Sequence, residues 1–290
     1  MIEGQEGVTW DEWVALAQAA EANGFEALFR SDHYASLENK PGAGSLDAWS
    51  TIGALAAITT TLRLGTLVSP ATFRHPSVLA RQVVTADHVS GGRVALGLGA
   101  GWHEGEHRAF GFPFDTPRDR FDRLEEQFEI VHRSWTEGPF DFHGRFYDLE
   151  RADPLPKPVQ KPHPWLIAGG SAKPRGAKLA ARWADEYNTV GATADECRER
   201  RERIAAACEA EGREPIPFSL MTGFAVAGDH AERLGRDPSP AWLAGTTGEI
   251  VEQLKALEAA GVERVMLQHL LHTDLDVLER IGREVISNVY

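Results

Sequence analysis

The 290-residue chain is 42% hydrophobic and 25% charged, enough apolar material for a large core beneath an ordinary hydrated surface. Its net charge of -13 argues against nucleic acid or an anionic membrane as the main partner, because both select basic surfaces. No apolar run reaches the roughly 20 residues of a membrane span, and MIEGQEGVTW has neither the basic start nor the apolar stretch of a signal peptide.

Helices and short apolar strands alternate from end to end. The opening MIE reads as a short or incomplete first strand. A helix follows from about Thr9 to Asn23, with Thr9 as N-cap, Glu12 three residues on and Gly24 as the stop. FEALFRSDH is a strand, and a loop with Pro41, Gly42 and Gly44 leads to a helix from Asp47 to Thr59. RLGTLVSP is the next strand. Pro76 to Ser90 is an amphipathic helix ended by Gly91-Gly92, and RVALGLG follows as a strand. HEGEH at 103–107 reads as an open polar loop. A helix from about Asp119 to Trp135 precedes GPFDFHGRFYDL, which alternates around His143-Gly144 like a hairpin, and PLPKPVQKPHP forms a proline-rich link. The strands PWLIAGG, EYNTVG, FSLMTGFAVA and RVMLQHL alternate with helices over 175–184, 195–211 and 248–260, and a last helix covers 274–287. Cys197 and Cys208 lie too far apart on one of these helices for a disulfide within it, which fits free thiols in a reducing cytoplasm. The continuous apolar strands predict a parallel sheet covered on both faces. The expected fold is an α/β (β/α)8 TIM barrel in one domain over 1–290, with an insertion at 136–163 after the fourth strand.

In such folds chemistry sits at the carboxyl ends of the strands. Ser31-Asp32-His33 ends one strand, where Asp32 can orient His33 for proton transfer. Gly99, Ala100 and Gly101 end another, leaving room for a flat ligand against the backbone. The run does not satisfy G-x-G-x-x-G, since Trp102 takes the third glycine position, and no strand with a terminal acid follows about twenty residues on. Ala168, Gly169, Gly170 and Ser171 close a strand and open a helix, which suits a phosphate; Ser171 can equally be a plain N-cap. Thr246, between Gly245 and Thr247-Gly248, is a second candidate anion loop. His103, Glu104 and His107 spell the zinc-protease pattern H-E-x-x-H. That motif belongs inside a helix, whereas this one follows a strand end and holds Gly105, which would cost about 1 kcal/mol of helix stability. No metal site is expected, and a zinc hydrolase ranks last among the readings.

Taken together, GFEALFRSDHY, RLGTLVSPATFRHPSVLARQVVTADHVSGGRVALGLGAGW, PLPKPVQKPHPWLIAGGS and GTTGEIVEQLKALEAAGVERVMLQHL resemble the bacterial luciferase-like flavin and deazaflavin oxidoreductases. The likeness is nearest to the branch that depends on coenzyme F420, an 8-hydroxy-5-deazaflavin. It implies an isoalloxazine-type ring at the carboxyl ends of the strands. Asp32 and His33 match the strand tip facing that ring. Leu67 and Val68 match a bulge where the family often has a non-proline cis peptide. Gly99, Ala100 and Gly101 match the next strand end, and Gly169, Gly170 and Ser171 match the phosphate loop. Leu37 and Trp102 stand where the sugar-phosphate and alcohol dehydrogenases of the family carry Trp and Glu, which argues against those substrates.

The resulting expectation is a cytoplasmic homodimeric enzyme that passes hydride between F420 and a small organic substrate. Its catalytic residues are His33, then Glu104 and His103; Asp32, Leu67, Val68, Ala168 and Thr246 join the glycines and Ser171 at the cofactor. The alternatives are an FMN-dependent monooxygenase served by a separate reductase, and a flavin-binding protein without activity.

Overall fold

The computed structural model describes residues 1–289. Thr9 caps α1 (Trp10–Ala22) and exchanges hydrogen bonds with Glu12 in a capping box. Then come β1 (Ala27–Arg30), α2 (Ala48–Ile58), β2 (Arg63–Pro70), α3 (Pro76–Ser90) and β3 (Val94–Gly99). Proline at the first position of α3 removes an N–H that has no helical partner anyway, and Gly91 ends the helix at φ 67°. α4 (Glu104–Phe110) and α5 (Pro117–Thr136) precede the antiparallel hairpin of β4 (Phe140–His143) and β5 (Asp148–Ala152). The chain continues through β6 (Trp165–Gly169), α6 (Pro174–Trp183), β7 (Glu186–Val190), α7 (Ala194–Ala210) and β8 (Phe218–Val226). α8 (Asp229–Leu234), β9 (Leu243–Gly245), α9 (Thr247–Ala259), β10 (Arg264–Gln268), α10 (Leu275–Ile281) and α11 (Ser287–Val289) complete it.

The main sheet is parallel and runs β1-β2-β3-β6-β7-β8-β10, with β9 paired to the end of β8. It curls so that its first and last strands approach each other. Met1 and Ile2 join them at their carboxyl ends. The Met1 nitrogen donates to Leu267 O at 2.8 Å, and the Ile2 N–H donates to Phe29 O at 2.9 Å. This is the TIM-barrel architecture expected, with a first strand as short as the sequence suggests.

Apolar side chains divide into two compartments. Leu64, Leu96, Leu166 and Leu220 face the helices, while Phe29, Leu67, Ala95, Ile167 and Met266 fill the lumen. A smaller cluster of Ile130, Phe140, Tyr147 and Leu149 lies beneath the hairpin. Glu126 on α5 holds the turn of that hairpin by accepting N–H groups of Arg145, Phe146 and Tyr147 at 2.7, 3.0 and 3.2 Å. Cys197 and Cys208 are free and buried on α7. Among the described residues, no helix is long and apolar enough to cross a membrane.

Two elements differ from the sequence reading. The HEGEH segment is not an open loop: Glu104–Phe110 form α4. Gly105 lies in its first turn, and the cost of glycine there is offset by burial of Glu106 and His107. The last helix is not continuous, because Gly282–Ile286 widen into a π-turn between α10 and α11. A Cβ at Gly282 would lie 2.6 Å from Asn23 O, so the chain passes hard against the end of α1.

Candidate active site

The loop after β1 turns Asp32 and His33 in different directions. Asp32 is buried, and one of its oxygens accepts from Ser69 Oγ at 2.6 Å and from Arg74 Nη1 at 2.5 Å. Ser69 in turn accepts from the indole N–H of Trp49 at 3.0 Å. Arg74 also reaches Asp47, the N-cap of α2, at 2.7 Å and Tyr34 Oη at 3.2 Å. One guanidinium thus ties together the loop after β1, the start of α2 and the end of β2. Burial alone would raise the Asp47 carboxyl, but the Ser50 N–H and Arg74 outweigh it and hold it at about 2. Burial pushes the Tyr34 phenol up to about 12.

The partner of His33 is Glu106 on α4, at 2.7 Å from Nδ1 to Oε2. Asp32, engaged with Arg74 and Ser69, does not orient it. The other Glu106 oxygen accepts N–H groups from Tyr34 and from Ala35, the latter at 3.0 Å. Burial works to raise this carboxyl, yet the hydrogen bond and charge of His33 and these backbone donors bring it below the usual carboxylate range. An ionised carboxylate only accepts, so Nδ1 carries the hydrogen that faces Glu106, and Nε2 points away from it. Nε2 has no hydrogen-bond partner among the described residues, and the side chain is 13% exposed, so a ligand can reach it.

Trp102 and His103 complete this rim. Their rings lie edge-on to His33, at 5.9 and 6.4 Å between centroids. His103 is the N-cap residue of α4, and its Nδ1 is buried without a hydrogen bond, 3.9 Å from Glu106. Glu104 is elsewhere. It faces solvent and pairs with Arg108 at 2.6 Å, so the acid beside His33 is Glu106 and not Glu104. His107 uses both ring nitrogens, one on His103 O at 2.8 Å and one on Thr72 Oγ at 2.6 Å, which leaves no lone pair for a metal. Among the described residues no group of three His, Cys, Asp or Glu side chains is arranged to hold one. Stacked rings of Tyr34, Phe73 and Phe112 glue α4 to the two strand ends it covers.

The floor is built by β2. The Leu67–Val68 peptide is cis, and the pairing with β3 shifts between Thr66 and Ser69. Leu67 enters the lumen, and Val68 spreads over glycines. A Cβ at Gly99 would lie 2.5 Å from Val68 Cγ2, and one at Gly97 would lie 2.4 Å from Thr66 O. The missing side chain of Gly99 therefore makes room for Val68, where the sequence suggested room for a ligand. Gly101 sits at φ 78°, and its carbonyl accepts from Arg120 at 3.2 Å. Beside it, Ala100 packs partly buried against the core.

Across the floor, Ala168 is buried while Gly169, Gly170 and Ser171 are exposed at the end of β6. The Gly170 N–H donates to Asn188 O at 3.0 Å. Lys173, not Ser171, is the N-cap residue of α6, and no side chain caps that helix. Arg175 is committed to Glu125 at 2.7 Å and to Asp122, so it offers no free charge. Thr246 forms a capping box with Glu249 at the start of α9, its hydroxyl donating at 2.9 Å. His269, at the end of β10, is buried with its imidazole pushed down to about 3, which removes it as a proton carrier near neutrality.

These residues fit a flat heteroaromatic ring. Val68 supplies an apolar floor beside the side-chain-free strand end at Gly169, where a Cβ would make ordinary contact with Asn188 O at 3.6 Å and Val68 Cγ1 at 3.9 Å. A ring nitrogen of His33 without a hydrogen-bond partner among the described residues stands at the rim. Sequence reasoning missed Glu106 and the role of Arg74. The signal for Glu106 was helical spacing: once 103–107 is a helix, residues 103, 106 and 107 share a face.

The sequence profile described as luciferase-like monooxygenase matches residues 2–237. The FMNH(2)-dependent dimethylsulfone monooxygenase of Pseudomonas putida is 34% identical over 94% of this chain and 86% of its own length. The F420-dependent hydroxymycolic acid dehydrogenase of Mycobacterium tuberculosis is 28% identical over 91% of this chain and 73% of its own. Among solved structures, an F420-dependent secondary alcohol dehydrogenase in complex with an F420-acetone adduct superposes with a TM-score of 0.86. It is 20% identical and covers 100% of this chain and 98% of that one, a likeness of fold.

Proposed function

Because the chain belongs to the luciferase-like monooxygenase family, whose members among its relatives use either F420 or reduced FMN, we propose that it transfers a hydride between coenzyme F420 and a small organic substrate. The observation that carries this reading is the His33–Glu106 pair with its free Nε2. When hydride leaves a substrate carbon, a proton must leave the substrate too for the charge to balance. Nε2 accepts that proton, and Glu106 stabilises the imidazolium it leaves; in the reverse direction the same nitrogen returns it. The deazaflavin supplies the hydride acceptor or donor when bound. Leu67, Val68, Gly99, Ala100 and Gly101 would lie along its ring. Asp32 would face its polar edge, and Ala168, Gly169, Gly170 and Ser171 would take its phosphate-bearing tail; Thr246, whose N–H and hydroxyl both serve Glu249, has no donor left for it. Trp102 and His103 stand at the mouth of the site beside His33.

A second reading, an FMNH2-dependent monooxygenase with a separate reductase, draws support from the 34% identity to the Pseudomonas relative. Titration with each cofactor, followed by fluorescence, separates the two. Binding of F420 with little FMN binding supports hydride transfer to or from the deazaflavin. Tight FMN binding with no F420 binding overturns it.

A further inference from the structure

Trp102 is 64% exposed, the most exposed large apolar side chain among the described residues. Tryptophan is highly buried on average, and Trp13, Trp49 and Trp135 of this chain lie in the core. The exposure of Trp102 does not come from a slack loop, because the backbone is pinned on both sides of it. Gly101 stands at φ 78°, where a Cβ would lie 2.8 Å from Thr72 Oγ1 and 3.2 Å from His107 Nε2, and its carbonyl accepts from Arg120 at 3.2 Å. On the other side, the His103 carbonyl accepts from the N–H of His107 at 3.3 Å and from its ring Nδ1 at 2.8 Å. A fixed frame therefore holds an indole out in solvent.

That indole stands where a substrate would. The planes of His33 and Trp102 meet at 80°, and those of His33 and His103 at 83°. Trp102 lies 5.2 Å from His103 between centroids. The three rings form an open corner beside Nε2 of His33, the nitrogen that has no partner, and most of the indole surface in that corner is uncovered.

The positive charges around the corner are already committed. Arg74 serves Asp32 and Asp47 at 2.5 and 2.7 Å. Arg108 serves Glu104 at 2.6 Å, and Arg120 serves the carbonyls of Gly101 and Asp115. None of these guanidiniums is left to receive a phosphate or carboxylate, and an anionic substrate would meet the Glu106 carboxylate behind His33. An apolar wall with one polar contact selects a neutral molecule with a flat apolar part.

We propose that Trp102 sets the substrate class: the chain takes neutral substrates that carry a planar aromatic group next to the reacting carbon. The indole receives that group while Nε2 of His33 meets the polar atom, an assignment that rests on the reading of His33 given above. The centroids of His33 and Trp102 are 5.9 Å apart, so a phenyl-sized substituent on a carbon held at Nε2 reaches the indole at the distances aromatic pairs prefer.

Binding of acetophenone, acetone and benzoate, followed by saturation-transfer NMR, tests this on the protein alone and with oxidised F420 or FMN added. Oxidised cofactor cannot reduce a ketone, so the readout does not pass through hydride transfer, and the cofactor titration judges that reaction separately. In whichever state binds acetophenone most tightly, it is expected to bind at least about thirtyfold more tightly than acetone and at least about tenfold more tightly than benzoate. Trp102→Ala should bring the acetophenone-to-acetone ratio below about threefold, while Trp102→Phe, which keeps a flat ring, should hold it above about tenfold. An unchanged ratio in Trp102→Ala overturns the proposal. Benzoate binding as tightly as acetophenone, or no acetophenone binding in any state, overturns it as well.

Discussion

His33 and Glu106 come from segments 73 residues apart and meet at 2.7 Å. If Nε2 carries the proton, His33→Ala lowers kcat by about 10²–10⁴-fold while KM changes little; unchanged turnover removes that role. Glu106→Gln deletes the charge and one of the two accepting oxygens, so the imidazolium is less favoured. The acid limb of the kcat/KM profile then moves to lower pH, and an unmoved limb means that the carboxylate does not act through His33. Glu104→Ala, which breaks only an exposed pair with Arg108, should change stability by no more than about 0.5 kcal/mol and leave turnover alone. At this scale the sequence was half legible. His33 and Asp32 announced themselves as polar residues at a strand tip. The choice between Glu104 and Glu106 depended on which side of a helix faces inward, and Gly105 concealed that helix.

Among the elements, the strand β2 and the helix α3 have the bounds that apolar patterning, proline and glycine prescribe: Arg63–Pro70 and Pro76–Ser90. α4, the short α8 and the π-turn after α10 were not legible, because tertiary contacts decide them. The bulge over β3 makes a sharper prediction. A methyl at Gly97 would strike backbone oxygen at 2.4 Å, while one at Gly99 would strike the movable end of Val68 at 2.5 Å. Both substitutions to alanine are expected to destabilise by about 1–3 kcal/mol, Gly97→Ala more than Gly99→Ala. Urea unfolding measures this, and the reverse order would mean that the Val68 side chain, and not the backbone of Thr66, is the rigid partner.

For the whole molecule, the half-buried His132 and the buried His269 contribute to the response to acid. Burial holds His132 at about 4 and His269 at about 3. Both lie below the ordinary histidine value, so the unfolded chain binds more protons as the pH drops. Their stabilising neutrality is complete above about pH 6.5 and is lost as the pH falls through 4 and then 3. Each contributes a slope of up to about 1.4 kcal/mol per pH unit within its window. Urea midpoints at pH 7 and pH 5 should differ in that direction, and equal midpoints would mean that neither ring is neutral by burial. The alternation of helices and strands made the barrel legible from the sequence. The join of β1 to β10 through Met1 and Ile2 was visible there only as the short MIE before α1.

That join also dictates an order of events. The Met1 amine bonds to a carbonyl 266 residues away, so these two groups can meet only when the whole stretch between them has been made. Local pairs such as β1 with β2 can form early, whereas the join between Met1 and β10 carries the largest loop entropy in the molecule and must come late. Until then the edges of β1 and β10 stand open together, and in that interval the nascent chain is most exposed to pairing with a neighbour.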